Sequence, residues 1–114
     1  MAFIDELKEK ASLVPLKSHY VAGFGRRVYF KPTTPHETAV VKKMTHDDDP
    51  AVFFMVNLVV LKALDENGKR LFKNADAEAL RKLPFQPDLT ELASKMQERI
   101  SVEDAEGNSD PNQN

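Results

Sequence analysis

The sequence contains no cysteine. Disulfide staples, thiol catalysis and thiolate metal sites are thereby excluded, and nothing points to secretion. Neither sign of charge is in excess: 16 Lys and Arg stand against 18 Asp and Glu, a formal net charge of -2. A nucleic-acid binder normally carries a basic stripe, so this near-balance argues against one. There is no long apolar run either. The longest, Ala51 to Leu64, is interrupted by Asn57 and Lys62 and falls short of the roughly 20 apolar residues of a bilayer span. The N-terminus, MAFIDELKEKA, carries Asp5 and Glu6 and no apolar core, so it does not read as a signal peptide. A cytosolic protein with no membrane partner is the expectation.

What is present suits a folded chain. At 114 residues and 41% hydrophobic content, residues 1–100 are expected to form one globular domain, with a modest core that needs no metal or disulfide. The remainder, SVEDAEGNSDPNQN, is poor in apolar residues and reads as a disordered polar tail.

Phe3, Ile4, Leu7 and Ala11 recur at helical spacing, which predicts a short amphipathic helix. Such a helix is marginal alone and needs a docking surface, in its own chain or in a partner. Arg27-Val28-Tyr29-Phe30-Lys31 reads as a strand, paired with Ser18 to Ala22 across Ala22-Gly23-Phe24-Gly25. Val28 and Phe30 would share one face and Tyr29 the other. Thr34-Pro35-His36-Glu37 predicts a helix start, with Thr34 as N-cap, Pro35 first and Glu37 completing a capping box. Val40, Val41 and Met44 give it an apolar face, and it should stop before Asp47-Asp48-Asp49-Pro50.

Asp49 and Pro50 are expected to cap and open the next helix. The segment 51–64 is apolar almost all round, which suits a helix buried on most sides. A strand is the alternative, because the segment is rich in β-branched and aromatic residues and Asn67-Gly68 is a hairpin signal. If it is a helix, Gly68 belongs to the turn that ends it. Leu71 and Phe72 would then lie on the core in an extended piece. Asn74 or Asp76 would cap a helix over 75–83, with Ala79, Leu80 and Leu83 inward, and Pro84 and Pro87 would break it. Asp88-Leu89-Thr90-Glu91 predicts a second capping box with Asp88 at the cap, opening a helix on which Leu89, Leu92, Ala93, Met96 and Ile100 follow the 3, 4, 7 spacing of one apolar face. The fold class is therefore α+β: a mostly helical small domain with a short N-terminal antiparallel hairpin packed on about four helices.

No arrangement of residues suggests chemistry. Gly23-Phe24-Gly25 is half of a phosphate-binding fingerprint and reads better as a turn. His46-Asp47-Asp48-Asp49 lacks calcium-loop spacing and reads as a linker. His19, His36 and His46 stand in no zinc-binding relation, and no serine sits in a nucleophile elbow. No catalytic residue, metal site or cofactor is assigned, and an enzyme is not expected.

The block from Val56 to Ile100 resembles the tail assembly chaperones of long-tailed, siphovirus-type bacteriophages and prophages. The resemblance rests on Leu58-Val59-Val60 leading into Asp65-Glu66-Asn67-Gly68-Lys69. It continues through Leu71-Phe72, a helix with Asp76, Glu78 and Leu80, then Leu83-Pro84 and a last helix with Leu92. Val28-Tyr29-Phe30-Lys31 followed by Thr33-Thr34 and Glu37 fits the family's strand-then-helix opening. The resemblance implies a non-catalytic role: coating the tape measure protein before tail tube subunits polymerise around it. It also implies work in the host cytoplasm, absence from the finished virion, and a longer frameshifted form able to meet the tail tube protein. A client-binding or self-associating surface is expected from Phe3, Ile4 and Leu7 on the first segment, Phe54, and Leu89, Leu92 and Met96 on the last helix. Such a chain should form a homo-oligomer. The rival expectation is a structural virion component, such as a tail terminator or a head-tail connector.

Overall fold

The computed structural model describes residues 2–98; Ile100 and the polar tail lie outside them. Lys17–Glu98 form one compact unit, and the segment through Leu16 belongs to another. That first segment holds helix α1, Phe3–Ser12, with Asp5 and Glu6 in its first turn and Lys10 in its last. Acids at the start and a base at the end both suit the helix dipole.

The larger unit opens on a two-stranded antiparallel sheet, β1 (Lys17–Val21) and β2 (Arg26–Phe30). Ser18 faces Tyr29 and Val21 faces Arg26 across the ladder. A single 3-10 turn, Ala22–Phe24, joins the strands, and Gly25 closes it at φ 71°. That left-handed conformation costs glycine little, because no Cβ meets the following carbonyl. Val28 and Phe30 are buried while Tyr29, on the opposite face, is only partly so. The expected alternation of faces is therefore observed.

Helix α2, Pro35–Met44, begins with the expected capping box: Thr34 Oγ1 accepts from Glu37 N–H, and Glu37 Oε1 accepts from Thr34 N–H. Val41 is fully buried, with Val40 and Met44 partly so. Helix α3, Ala51–Lys62, settles the choice between helix and strand. It touches α2, α4 and α5, so it is the centre of the domain. Its second half, Val56 to Val60, is wholly buried, as an apolar run with no polar face requires. One expectation fails at its start. Asp49 does not cap α3; its carboxylate accepts from His46 N–H and closes the preceding loop, and Pro50 is the N-cap.

The end of α3 also departs from expectation. Leu64 exchanges two backbone hydrogen bonds with Tyr29, at 2.9 and 2.8 Å. The helix stops because the chain leaves it to extend the sheet edge. Gly68, at φ 81°, then closes a separate turn in which Leu64 faces Arg70. The Asn67-Gly68 hairpin signal was thus real, but it acts after the helix instead of ending it. Asp65 organises this turn by accepting from Asn67 and Lys69 N–H. The Lys69 N–H, and then that of Asn67, outweigh the effect of desolvation and hold the carboxyl below its usual range.

Helix α4 is short, Asp76–Arg81, and buries Ala77 and Leu80. Ala79 is exposed and Leu83 is 48% exposed, so the inward face is rotated from the expected one. Neither expected residue caps it: Asn74 accepts from Arg70, and Asp76 accepts from Lys73 N–H. Helix α5, Gln86–Met96, begins before the expected Asp88 cap, with Phe85 as N-cap and Pro87 in its first turn. Proline is tolerated there because its missing N–H would have had no intrahelical partner. Leu89, Leu92, Ala93 and Met96 are buried against α3 and the hairpin, at 2% exposure or less. The observed architecture is the expected one, a short antiparallel hairpin packed with four helices.

Two polar groups enter this core. Lys62, 5% exposed, pairs with Glu37 at 2.7 Å. Burial raises the Glu37 pKa, but the Lys62 hydrogen bond, the Thr34 N–H and the Lys62 charge outweigh it, and the net shift is downward. Asn57, 1% exposed, donates to the Met44 carbonyl and to Thr45 Oγ1. It ties the end of α2 to the middle of α3.

Candidate functional site

Three phenylalanines distant in sequence meet at one end of the hairpin. Phe24 comes from the 3-10 turn, Phe72 from the extended piece before α4, and Phe85 from the N-cap of α5. Phe24 stands edge-on to both, with ring centroids 6.3 Å from Phe72 and 5.8 Å from Phe85. Edge-to-face pairs of this kind contribute about 0.5–1.5 kcal/mol beyond the area they bury. All three rings are only partly buried.

They line an open cleft of about 380 Å³ together with Gly23, Leu71, Leu80 and Leu83, and Arg26 is its one charged lining residue among those described. Local structure explains the shape. A Cβ at Gly23 would run into the Asp88 carboxylate and come within 3.1 Å of Phe85, so glycine lets the turn lie close against the start of α5. The close approach of the turn to α5 sets the floor. Leu83 follows α4 on a non-helical turn, which leaves it exposed at the lip. Arg26 is held at the mouth by Glu66 at 3.3 Å, in a solvent-exposed pair.

A second, smaller cavity of about 60 Å³ lies beside it, lined by Val52, Phe53, Val56, Leu80, Arg81, Leu83, Gln86 and Leu89. Arg81 stacks on Phe53, 4.4 Å from the ring centroid, and reaches Asn57 Oδ1 at 3.4 Å. Its Nε is buried with no hydrogen-bond partner among the described residues. The polar atoms here tie α4 to α3 and form no constellation of acid, base and nucleophile. Among the described residues, no three His, Asp or Glu side chains are grouped to hold a metal ion, and no helix is long and apolar enough to cross a membrane.

The residues singled out from sequence fall in different places. Phe3, Ile4 and Leu7 are exposed on α1, in the separate segment. Phe54 is partly buried and packs against the core. Leu89, Leu92 and Met96 are core residues at 2%, 0% and 1% exposure, so they are corrected from surface to interior. Their spacing marked a buried face, and that face is filled by this chain's own α3 and hairpin. The three phenylalanines of the cleft are each visible as apolar, but their meeting is not, because positions 24, 72 and 85 share no local period. Comparison with protein-family models, curated proteins and solved structures gives no match to this chain.

Proposed function

We propose that this protein is a non-catalytic tail assembly chaperone of a long-tailed bacteriophage. In this reading it binds the tape measure protein in the host cytoplasm, keeps it soluble, and leaves before the virion is complete. The observation that carries the proposal is the open aromatic cleft between the hairpin turn, Phe72, Leu83 and Phe85. An apolar concavity of a few hundred cubic ångströms is the usual form of a binding site. A surface of this kind suits a segment that offers large apolar side chains at helical spacing. The sequence resemblance suggests the client, and an apolar cleft is compatible with binding one of its segments.

The same reading includes self-association when the client is absent, and contact with the tail tube protein through a frameshifted longer form. The cleft replaces Leu89, Leu92 and Met96 as the contact surface, since those three are inside.

The test is co-expression with the tape measure protein of the same genome. The expected result is a soluble client that co-purifies with this chain. A client that precipitates with or without this chain, or recovery of this chain from purified particles, overturns the proposal. Recovery from particles would instead favour a structural virion component.

A further inference from the structure

We infer that the cleft selects an apolar helical segment that carries a carboxylate beside its anchoring side chains. This rests on the binding role proposed above and adds the charge of the partner to it. Among the described residues, Arg26 is the only ionisable one lining the cleft. Its side chain is 43% exposed, so the guanidinium stands at the mouth between apolar wall and solvent.

A guanidinium has five N–H donors. Arg26 spends Nε on the Arg27 carbonyl and one nitrogen on Glu66 Oε1, both at 3.3 Å. Donors therefore remain for a second carboxylate. The Glu66 partner is itself 64% exposed, and exposed pairs of this kind are weak and readily exchanged. Asp88 lies against Gly23 and is not among the lining residues. A ligand carboxylate reaching Arg26 would thus gain a charge-assisted hydrogen bond without meeting a like charge inside the cleft.

Size sets the rest of the chemistry. Side chains one helical turn apart have Cβ atoms about 5–6 Å apart. The cleft volume suits the tips of one or two large apolar side chains between the Phe24, Phe72 and Phe85 rings. The occupant is therefore an amphipathic helix with Leu or aromatic anchors and an acid flanking them. A helix with a lysine in that position would set like charges together at the mouth.

The experiment uses the full chain and two dye-labelled amphipathic helical peptides. They share one leucine stripe and differ only in Glu or Lys flanking it. Fluorescence anisotropy at low salt is expected to show the Glu peptide binding about 1.5- to fivefold tighter, the range of an exposed ion pair. In Arg26→Gln the preference should vanish, with the Glu peptide bound more weakly and the Lys peptide, freed of the like charge, bound slightly tighter. Equal affinities in the native chain, or a preference that survives Arg26→Gln, overturn the inference and leave the cleft itself standing. Binding of neither peptide, or binding undiminished by Leu83→Asp at the lip, overturns both the inference and the cleft's proposed role.

Discussion

Replacing either partner of the Lys62–Glu37 pair should have unequal consequences, and the structure fixes which is worse. The Lys62 side chain is 3% exposed and that of Glu37 is 33% exposed. Removing one partner of a buried pair costs about 3–5 kcal/mol when the survivor is left uncompensated. Glu37→Gln leaves the buried ammonium with a neutral side-chain acceptor and the Pro32 carbonyl at 3.5 Å. We expect a loss of about 2–3 kcal/mol, below that range because an acceptor remains. Lys62→Met leaves a carboxylate that still accepts from the Thr34 N–H and reaches water. The methionine fills the same space, so the loss should be about 1 kcal/mol or less. The double variant should be more stable than Glu37→Gln alone, because no unpaired ammonium remains. Urea unfolding of the full chain measures all three, and Glu37→Gln should lower Tm by about 10 °C or more for a domain of this size. Equal losses from the two single changes, or a double variant at the sum of both, would refute the reasoning.

Acid titration reads the same pair from another side. The Glu37 pKa is lowered by folding despite the opposing effect of burial. Its stabilisation is therefore complete above the ordinary carboxylate range and lost as the pH falls through the lowered folded value. That acid limb of stability should shrink in Lys62→Met. Gly23→Ala should cost about 1–3 kcal/mol by overpacking against Asp88 and Phe85, and Asp88→Ala in the same chain should restore part of it in a thermal melt. Leu92→Ala, at a fully buried position, should cost about 2–5 kcal/mol. It should weaken client binding only in proportion to the unfolded fraction, whereas Leu83→Asp should leave Tm nearly unchanged and abolish binding.

The parts of this fold that were legible in the sequence are those set by local chemistry. Thr34-Pro35 with Glu37 reads as a helix start because two side-chain hydrogen bonds and a fixed φ act within four residues. The hairpin reads from alternating Val28, Tyr29 and Phe30 and from the glycines that turn it. Errors arose where one residue can serve two roles. Pro87 reads as a helix breaker, yet in the first turn of α5 it stabilises the start. Asp49, Asn74 and Asp76 all read as caps, yet each bonds a loop neighbour instead. Leu83 fits an inward helical period, but the short α4 ends at Arg81 and frees it to the surface. The cleft was invisible for a deeper reason. Its three rings are brought together by the packing of the hairpin turn on α5, and only the whole fold specifies that approach.

The central claim is that the aromatic cleft holds the tape measure protein. It is tested most directly by placing the photo-crosslinker benzoylphenylalanine at position 83, on the lip, and at position 42 on α2 as a control outside the cleft. Both proteins are co-expressed with the client, irradiated, and the crosslinked species identified by mass spectrometry. The account predicts a crosslink to the tape measure protein from position 83 and none from position 42. A soluble client complex with no crosslink from position 83, or equal crosslinking from both positions, would contradict it.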